Sequence, residues 1–204
     1  MSLNRAKKIQ LVLFDVDGVL TDGTIWFFPA PSAAPRATDA HRHQKGDAPG
    51  FGIVSQNLVE AKGFNAHDGT AISLARLGGL KTGMITKRIS ETVALRARDL
   101  RVDFLHQGAD NKSAALDKIL AESGLREEQV AFVGDDVIDL PIMRRCGLAI
   151  AVANARPQVK AMAHYETPSS GGHGAARDAV EYILKAQGKL EKVIDEYIRV
   201  RSSG

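Results

Sequence analysis

Short aliphatic and β-branched runs alternate along this chain with longer stretches in which apolar residues recur every three or four positions. The alternation predicts strands at 9–15, 81–86, 103–106, 130–134 and 148–152, with a short sixth at 165–167. Helices are expected between them at 68–77, 90–100, 111–123 and 175–187. Three of these run into glycine stops, Gly78-Gly79, Gly124 and Gly188. A last amphipathic piece, "KLEKVIDEYIRV", reads as a C-terminal helix or arm. Strand and helix in repeated succession imply an α/β fold, a doubly wound parallel sheet with helices on both faces.

One region breaks this rhythm. Between residues 24 and 65, "TIWFF" and "NLVEAKGFN" read as two strands of a hairpin, and the segment joining them carries four of the seven prolines. Its composition, through the insertion at 29–50, is that of a flexible loop. His41 and His43 fall inside it, and the plain reading is a pair of solvated histidines.

Composition narrows this picture. With 204 residues, 44% of them hydrophobic and 25% charged, the chain suits one globular domain over its whole length, 1–204, and leaves little room for a second. The net charge of +3 comes from lysines and arginines spread along the chain, with no basic stripe interleaved with aromatics, so a nucleic-acid partner is not expected. No apolar run approaches the roughly 20 residues that span a bilayer, so no membrane partner is expected. The first apolar segment is interrupted by Asp15 and Asp17 and is not read as a secretion signal, which points to a cytoplasmic location. Cys146 has no second cysteine to pair with and reads as a core or surface thiol.

Ligands of open α/β sheets bind beyond the carboxyl ends of the strands. Four polar clusters fall on that edge: Asp15 and Asp17 in "LFDVDGVLTDG" after the first strand, Thr86 at the end of the second, Lys112 in "GADNK" after the third, and Asp135 and Asp136 in "GDDVID" after the fourth. Singly, each has an ordinary reading as a helix cap, a strand terminus, a surface lysine or a turn. Together, in this order, they assemble a site. Clustered carboxylates at Asp15, Asp135 and Asp136 supply hard oxygen ligands for Mg2+ and need a cation to offset their repulsion. Thr86 offers a hydroxyl, and Lys112 a point charge at a helix start, where together they suit a phosphoryl oxygen.

These segments, with "MITKR" around Thr86 and "VGDDVIDLPIM", resemble the four motifs of the haloacid dehalogenase superfamily. The resemblance implies Asp15 as nucleophile forming an aspartyl-phosphate and Asp17 as general acid and then base. It further implies Mg2+ held by Asp15, the backbone carbonyl of Asp17 and Asp135, with Asp136 acting through water or as a further ligand and Asp139 orienting Lys112. Within the superfamily, "TDGTIWF", "FNAHDG", "NARPQVKAMAHYET" and "GGHGAARDAVEYILKAQGKL" resemble the capless phosphatases that act on 3-deoxy-D-manno-octulosonate 8-phosphate in lipopolysaccharide precursor synthesis. That family implies a β-hairpin flap in place of a cap and homotetramers in which hairpins associate and C-terminal arms cover a neighbour's site. Apolar residues of "TIWFF" would then lie between subunits, or else against the chain's own sheet. Substrate-binding residues carried over by the resemblance are Thr86, Arg88, Lys112, His67, Asp68, Gly69 and Arg177.

Three departures bear on the substrate. His67-Asp68-Gly69 stands where the family has Arg-Asp-Gly, Lys87-Arg88 stands where it has Gly-Arg, and the hairpin carries the insertion. A nine-carbon acid phosphate such as 2-keto-3-deoxynononate 9-phosphate, or a broader set of sugar phosphates, therefore stays open. So do readings of another class, a phosphoryl-receiving domain or a non-catalytic module.

Overall fold

The computed structural model describes residues 2–29 and 58–202; most of the insertion, with His41 and His43, lies outside them. In chain order the elements are α1 (Ser2–Ala6), β1 (Leu11–Phe14), β2 (Trp26–Pro29), β3 (Leu58–Ala61), α2 (Ala66–Leu77), β4 (Lys81–Ile85), α3 (Glu91–Leu100) and β5 (Phe104–His106). They continue with α4 (Lys112–Ser123), β6 (Val130–Gly134), α5 (Leu140–Met143), β7 (Leu148–Ala151), α6 (Pro157–Met162), β8 (Tyr165–Glu166), α7 (Ala175–Ala186) and α8 (Leu190–Ser202). All six sequence-predicted sheet strands and all five predicted helices form. The short helices α1, α5 and α6 are additions. Pro157 opens α6, where its missing N–H costs nothing.

Six strands form one parallel sheet in the order β5-β4-β1-β6-β7-β8. Every residue of the three central runs, "LVLF", "VAFVG" and "LAIA", is buried, as expected of strands covered on both faces. The chain steps outward from β1 through β4 to β5, then returns across β1 to β6 and onward. Crossovers of one hand therefore put α2 and α3 on one face and α4, α5 and α6 on the other. Helix α7 returns to pack along α2. Neighbouring strands β1 and β6 thus send their following helices to opposite faces, and a crevice opens between their carboxyl ends.

Strands β2 and β3 pair antiparallel as a separate ribbon, with Phe28 opposite Val59 and Phe27 opposite Glu60. Trp26, Phe27, Phe28, Leu58 and Val59 are all exposed, so the apolar side chains of the hairpin are not covered by the chain's own sheet. Cys146 is buried, and burial, followed by the nearby Glu127 carboxylate, pushes its thiol up to about 12. It is therefore an inert core thiol.

Candidate active site

Phe14, the last residue of β1, aligns with Met84 of β4 and Val133 of β6. Asp15 follows it directly, its N–H bonded to the Val133 carbonyl at 3.0 Å, and so it sits at the mouth of the crevice. One residue beyond β6 comes Asp135, and Asp139 ends the turn Val137–Asp139. Asp15, Asp135 and Asp139 each offer an oxygen within 4.8 Å of the other two. Asp15 and Asp139 are buried.

Lys112, the first residue of α4, reaches into this cluster. Its Nζ lies 2.6 Å from Asp15 Oδ1 and 2.6 Å from Asp139 Oδ1, and 5.6 Å from the centre of the Phe132 ring. A cation at a helix start opposes the helix dipole, and burial disfavours its charge; the two carboxylates outweigh both and hold its pKa above the ordinary lysine value. Asn111 caps the same helix by accepting the N–H groups of Ser113 and Ala114.

Three carboxylates share one ammonium, and the imbalance shows in the titration of two of them, Asp15 and Asp135. Burial, opposed by Lys112 and reinforced by Asp139, raises Asp15 above the carboxylate range. Burial together with the charges of Asp15 and Asp139 pushes Asp135 up to about 8, and its Oδ1 is buried with no hydrogen-bond partner. An orphaned carboxylate oxygen facing two other acids fits a hard divalent cation. Gly18, at φ +94°, makes room for this arrangement, since a Cβ there would lie 2.2 Å from Asp135 Oδ2.

Asp136 stands apart from the cluster. Its carboxylate accepts the Val137 N–H at 2.7 Å, whereas Asp139 Oδ2 accepts the N–H groups of Asp135 and Asp136 at 3.0 and 3.4 Å. The turn is folded around Asp139.

Thr86 is buried just past β4, on the same sheet edge as Asp15. Its N–H bonds to the His106 carbonyl, and its hydroxyl accepts the Arg88 N–H at 3.3 Å. Arg88 pairs with Glu60 of β3 at 3.0 Å. Asp17 pairs with Lys62, whose side chain is completely covered. Glu60 and Lys62 were missed by sequence reasoning. Their only signal was a spacing of two on a strand, which puts both on one face.

Asp68 and Arg177 meet at the start of α7. The buried Asp68 carboxylate accepts the N–H groups of Gly174 at 3.2 Å and Arg177 at 3.1 Å, closing the start of α7, and the Arg177 guanidinium pairs with Glu181. Burial raises the Asp68 pKa despite those bonds. Gly69 lies against the mobile end of the Arg96 side chain, where a Cβ would approach Nη2 to 2.5 Å. His67 is exposed in the first turn of α2, its N–H taken by Asn65. The glycine-rich "GGHG" loop folds onto the chain's own first-motif loop. Gly172 N–H bonds to the Val19 carbonyl at 2.9 Å, and a Cβ on Gly171 would lie 1.7 Å from the Gly18 carbonyl oxygen.

Residues 83–177 match the haloacid dehalogenase-like hydrolase family. Along 190 residues the chain is 35% identical to the 3-deoxy-D-manno-octulosonate 8-phosphate phosphatase KdsC of Salmonella typhi, covering 93% of this chain and 87% of the relative. The crystal structure of the corresponding Yersinia pestis phosphatase superposes with a TM-score of 0.77 at 35% identity, covering 93% of this chain and 88% of that one. The Moraxella catarrhalis phosphatase, solved with a magnesium ion, a phosphate ion and a KDO molecule, superposes with a TM-score of 0.78 at 31% identity, covering 96% and 97% of the two chains.

Proposed function

The chain belongs to the haloacid dehalogenase-like hydrolases, among the 3-deoxy-D-manno-octulosonate 8-phosphate phosphatases, and from this we propose that it releases phosphate from that eight-carbon sugar acid. The observation that carries the reading is the meeting of Asp15, Asp135, Asp139 and Lys112 at the crevice between β1 and β6, in a chain that matches these phosphatases over nearly its whole length. The reading takes the chain as one catalytic domain with the hairpin as its flap. A receiver or a non-catalytic module is not favoured, since the matched relatives are phosphatases.

In this reading Asp15 attacks phosphorus and the bond to the sugar oxygen breaks, the leaving oxygen taking a proton from Asp17. Asp17 then takes a proton from water, whose oxygen attacks phosphorus and frees Asp15 and inorganic phosphate. Lys112 favours the ionised form of Asp15 against the effect of burial and holds it in place, while its one remaining N–H suits a transferring oxygen, with Thr86 beside it. Asp15 and Asp135, with the backbone carbonyl of Asp17, would hold Mg2+, and Asp136 would contribute through water. When bound, the ion supplies positive charge that offsets the acids and draws electron density from the phosphoryl oxygens. Arg88, which pairs with Glu60 of the flap, is the candidate cation for an acidic substrate, Lys87 and Arg177 being further candidates.

Mg2+ dependence, a cytoplasmic location and a homotetramer belong to the same proposal. The tetramer is supported by five large apolar side chains exposed on one ribbon, an association liability if left uncovered. The test is phosphate release, with and without Mg2+, from eight-carbon and nine-carbon 3-deoxy sugar acid phosphates alongside common sugar phosphates. A strong, Mg2+-dependent preference for the eight-carbon acid is expected. Comparable slow rates across the panel would overturn the substrate, and no release from any would overturn the activity.

A further inference from the structure

Asp17 moves the proton in the reading above, and a proton donor works only from a fixed position close to the leaving oxygen. Its own motif does not provide that fixing. It comes from the flap: Lys62, the residue after β3, donates a hydrogen bond from Nζ to Asp17 Oδ1. The Lys62 side chain is 0% exposed while Asp17 keeps 21% of its side chain open. A covered ammonium needs paired carboxylates, and Lys62 has two, the second being Glu60 Oε1 at 3.7 Å. Glu60 in turn is tied to the body of the protein. Its Oε2 accepts from Arg88 at 3.0 Å and its backbone carbonyl from the Thr92 hydroxyl at 3.5 Å, in the loop after β4 and the first turn of α3. The chain of contacts Arg88–Glu60–Lys62–Asp17 therefore runs from the sheet edge through the flap to the proton-carrying carboxylate.

We infer that Lys62 is the positioning residue of the proton-transfer steps, holding the Asp17 carboxylate where it meets the leaving sugar oxygen and then the attacking water. The inference rests on the phosphatase reading. Its bond changes are those already given: the P–O bond to the sugar breaks as the sugar oxygen takes the Asp17 proton, and water surrenders a proton to Asp17 as its oxygen bonds to phosphorus. Lys62 exchanges no proton in either step. The competing role, a pin that merely holds the flap down, makes a different prediction, because it would weaken every step and every substrate alike.

The test compares Lys62→Met with the full-length wild type at saturating Mg2+, on 3-deoxy-D-manno-octulosonate 8-phosphate and on p-nitrophenyl phosphate, whose leaving group departs without a proton. On the sugar phosphate kcat should fall about 10²-fold with little change in KM. On p-nitrophenyl phosphate the first step should keep its rate while hydrolysis of the aspartyl-phosphate slows, giving a rapid burst of one p-nitrophenolate per active site. Asp17→Asn should show the same burst, and adding Lys62→Met to it should cost nothing further. Lys62→Arg, which keeps the cation, should restore part of the sugar-phosphate rate. Equal losses in both steps, a loss confined to KM, or additive losses in the double variant would overturn the inference. Should Lys62→Met not fold, Lys62→Gln, which keeps a hydrogen-bond donor without the charge, carries the same comparison. A wild type inactive on both substrates removes the phosphatase reading itself, whereas an active wild type with an indifferent Lys62→Met removes only the inference.

Discussion

Replacing Asp139 by asparagine changes no shape and removes one charge, which isolates what that carboxylate does. Its two oxygens face three donors: Lys112 Nζ at 2.6 Å on Oδ1, and the N–H groups of Asp135 and Asp136 at 3.0 and 3.4 Å on Oδ2. Asparagine offers one acceptor oxygen, so in either orientation its NH2 meets a donor. Turned toward Lys112 it breaks a pair in which both side chains are covered, a loss of about 3–5 kcal/mol. Turned the other way it orphans two backbone N–H groups at about 1–3 kcal/mol each. Removing Asp139 also relieves its repulsion of Asp15 and Asp135, which returns part of this. A net loss of about 2–4 kcal/mol is expected, and about 5–15 °C in Tm for a chain of this size. With Lys112 no longer fixed from both sides, kcat should fall about 10²-fold. Urea unfolding followed by circular dichroism, with turnover on the same preparations, measures both. A variant within about 0.5 kcal/mol of wild type and at wild-type kcat would refute the reasoning, since surface substitutions alone stay in that range.

Three further outcomes follow from the geometry. Asp68→Ala should destabilise the fold by about 2–4 kcal/mol in urea, because the N–H groups of Gly174 and Arg177 lose a charged acceptor; an unchanged midpoint would contradict that role. Gly18→Ala forces a Cβ toward Asp135 Oδ2 at a positive φ, so the Mg2+ concentration giving half-maximal activity should rise about 10–100-fold, read from a metal titration. His164 accepts the Ala149 N–H through Nδ1, and burial, then Arg5, depresses its pKa below the ordinary 6.5. The unfolded chain therefore takes the proton first as pH falls. The stability His164 contributes is intact above about 6.5 and is lost on descending through the lower folded value. His164→Gln should show a shallower fall in unfolding free energy between about pH 7 and 5; parallel curves for the two proteins would count against it.

The sequence pattern made the sheet legible because parallel strands buried on both faces leave unbroken apolar runs, as "LVLF", "VAFVG" and "LAIA" do. Helix ends were legible where glycine stopped them. Helices α1, α5 and α6, of five, four and six residues, are too short to display a period. Four clusters on one sheet edge placed Asp15, Thr86, Lys112 and Asp135 together, because strand order hardly matters when all carboxyl ends point the same way. The finer division between Asp136 and Asp139 depends on which of two nearby acids turns inward, and that is set by the turn's own N–H groups. The Lys62 to Asp17 pair joins residues 45 apart through an antiparallel ribbon, a contact that no local period encodes. Asp68 reads as substrate-binding because it stands in a family motif; that its carboxylate also accepts an N–H at the start of α7, 106 residues away, is a contact no local pattern encodes.

The most direct test of the whole account is an acid quench of the wild-type enzyme milliseconds after mixing with substrate carrying radiolabelled phosphate, followed by peptide mapping of the label. The account predicts phosphate bound to the peptide containing Asp15, absent in Asp15→Asn, which should fold normally and turn over several orders of magnitude more slowly. Label on another residue, or full turnover by Asp15→Asn, would contradict it.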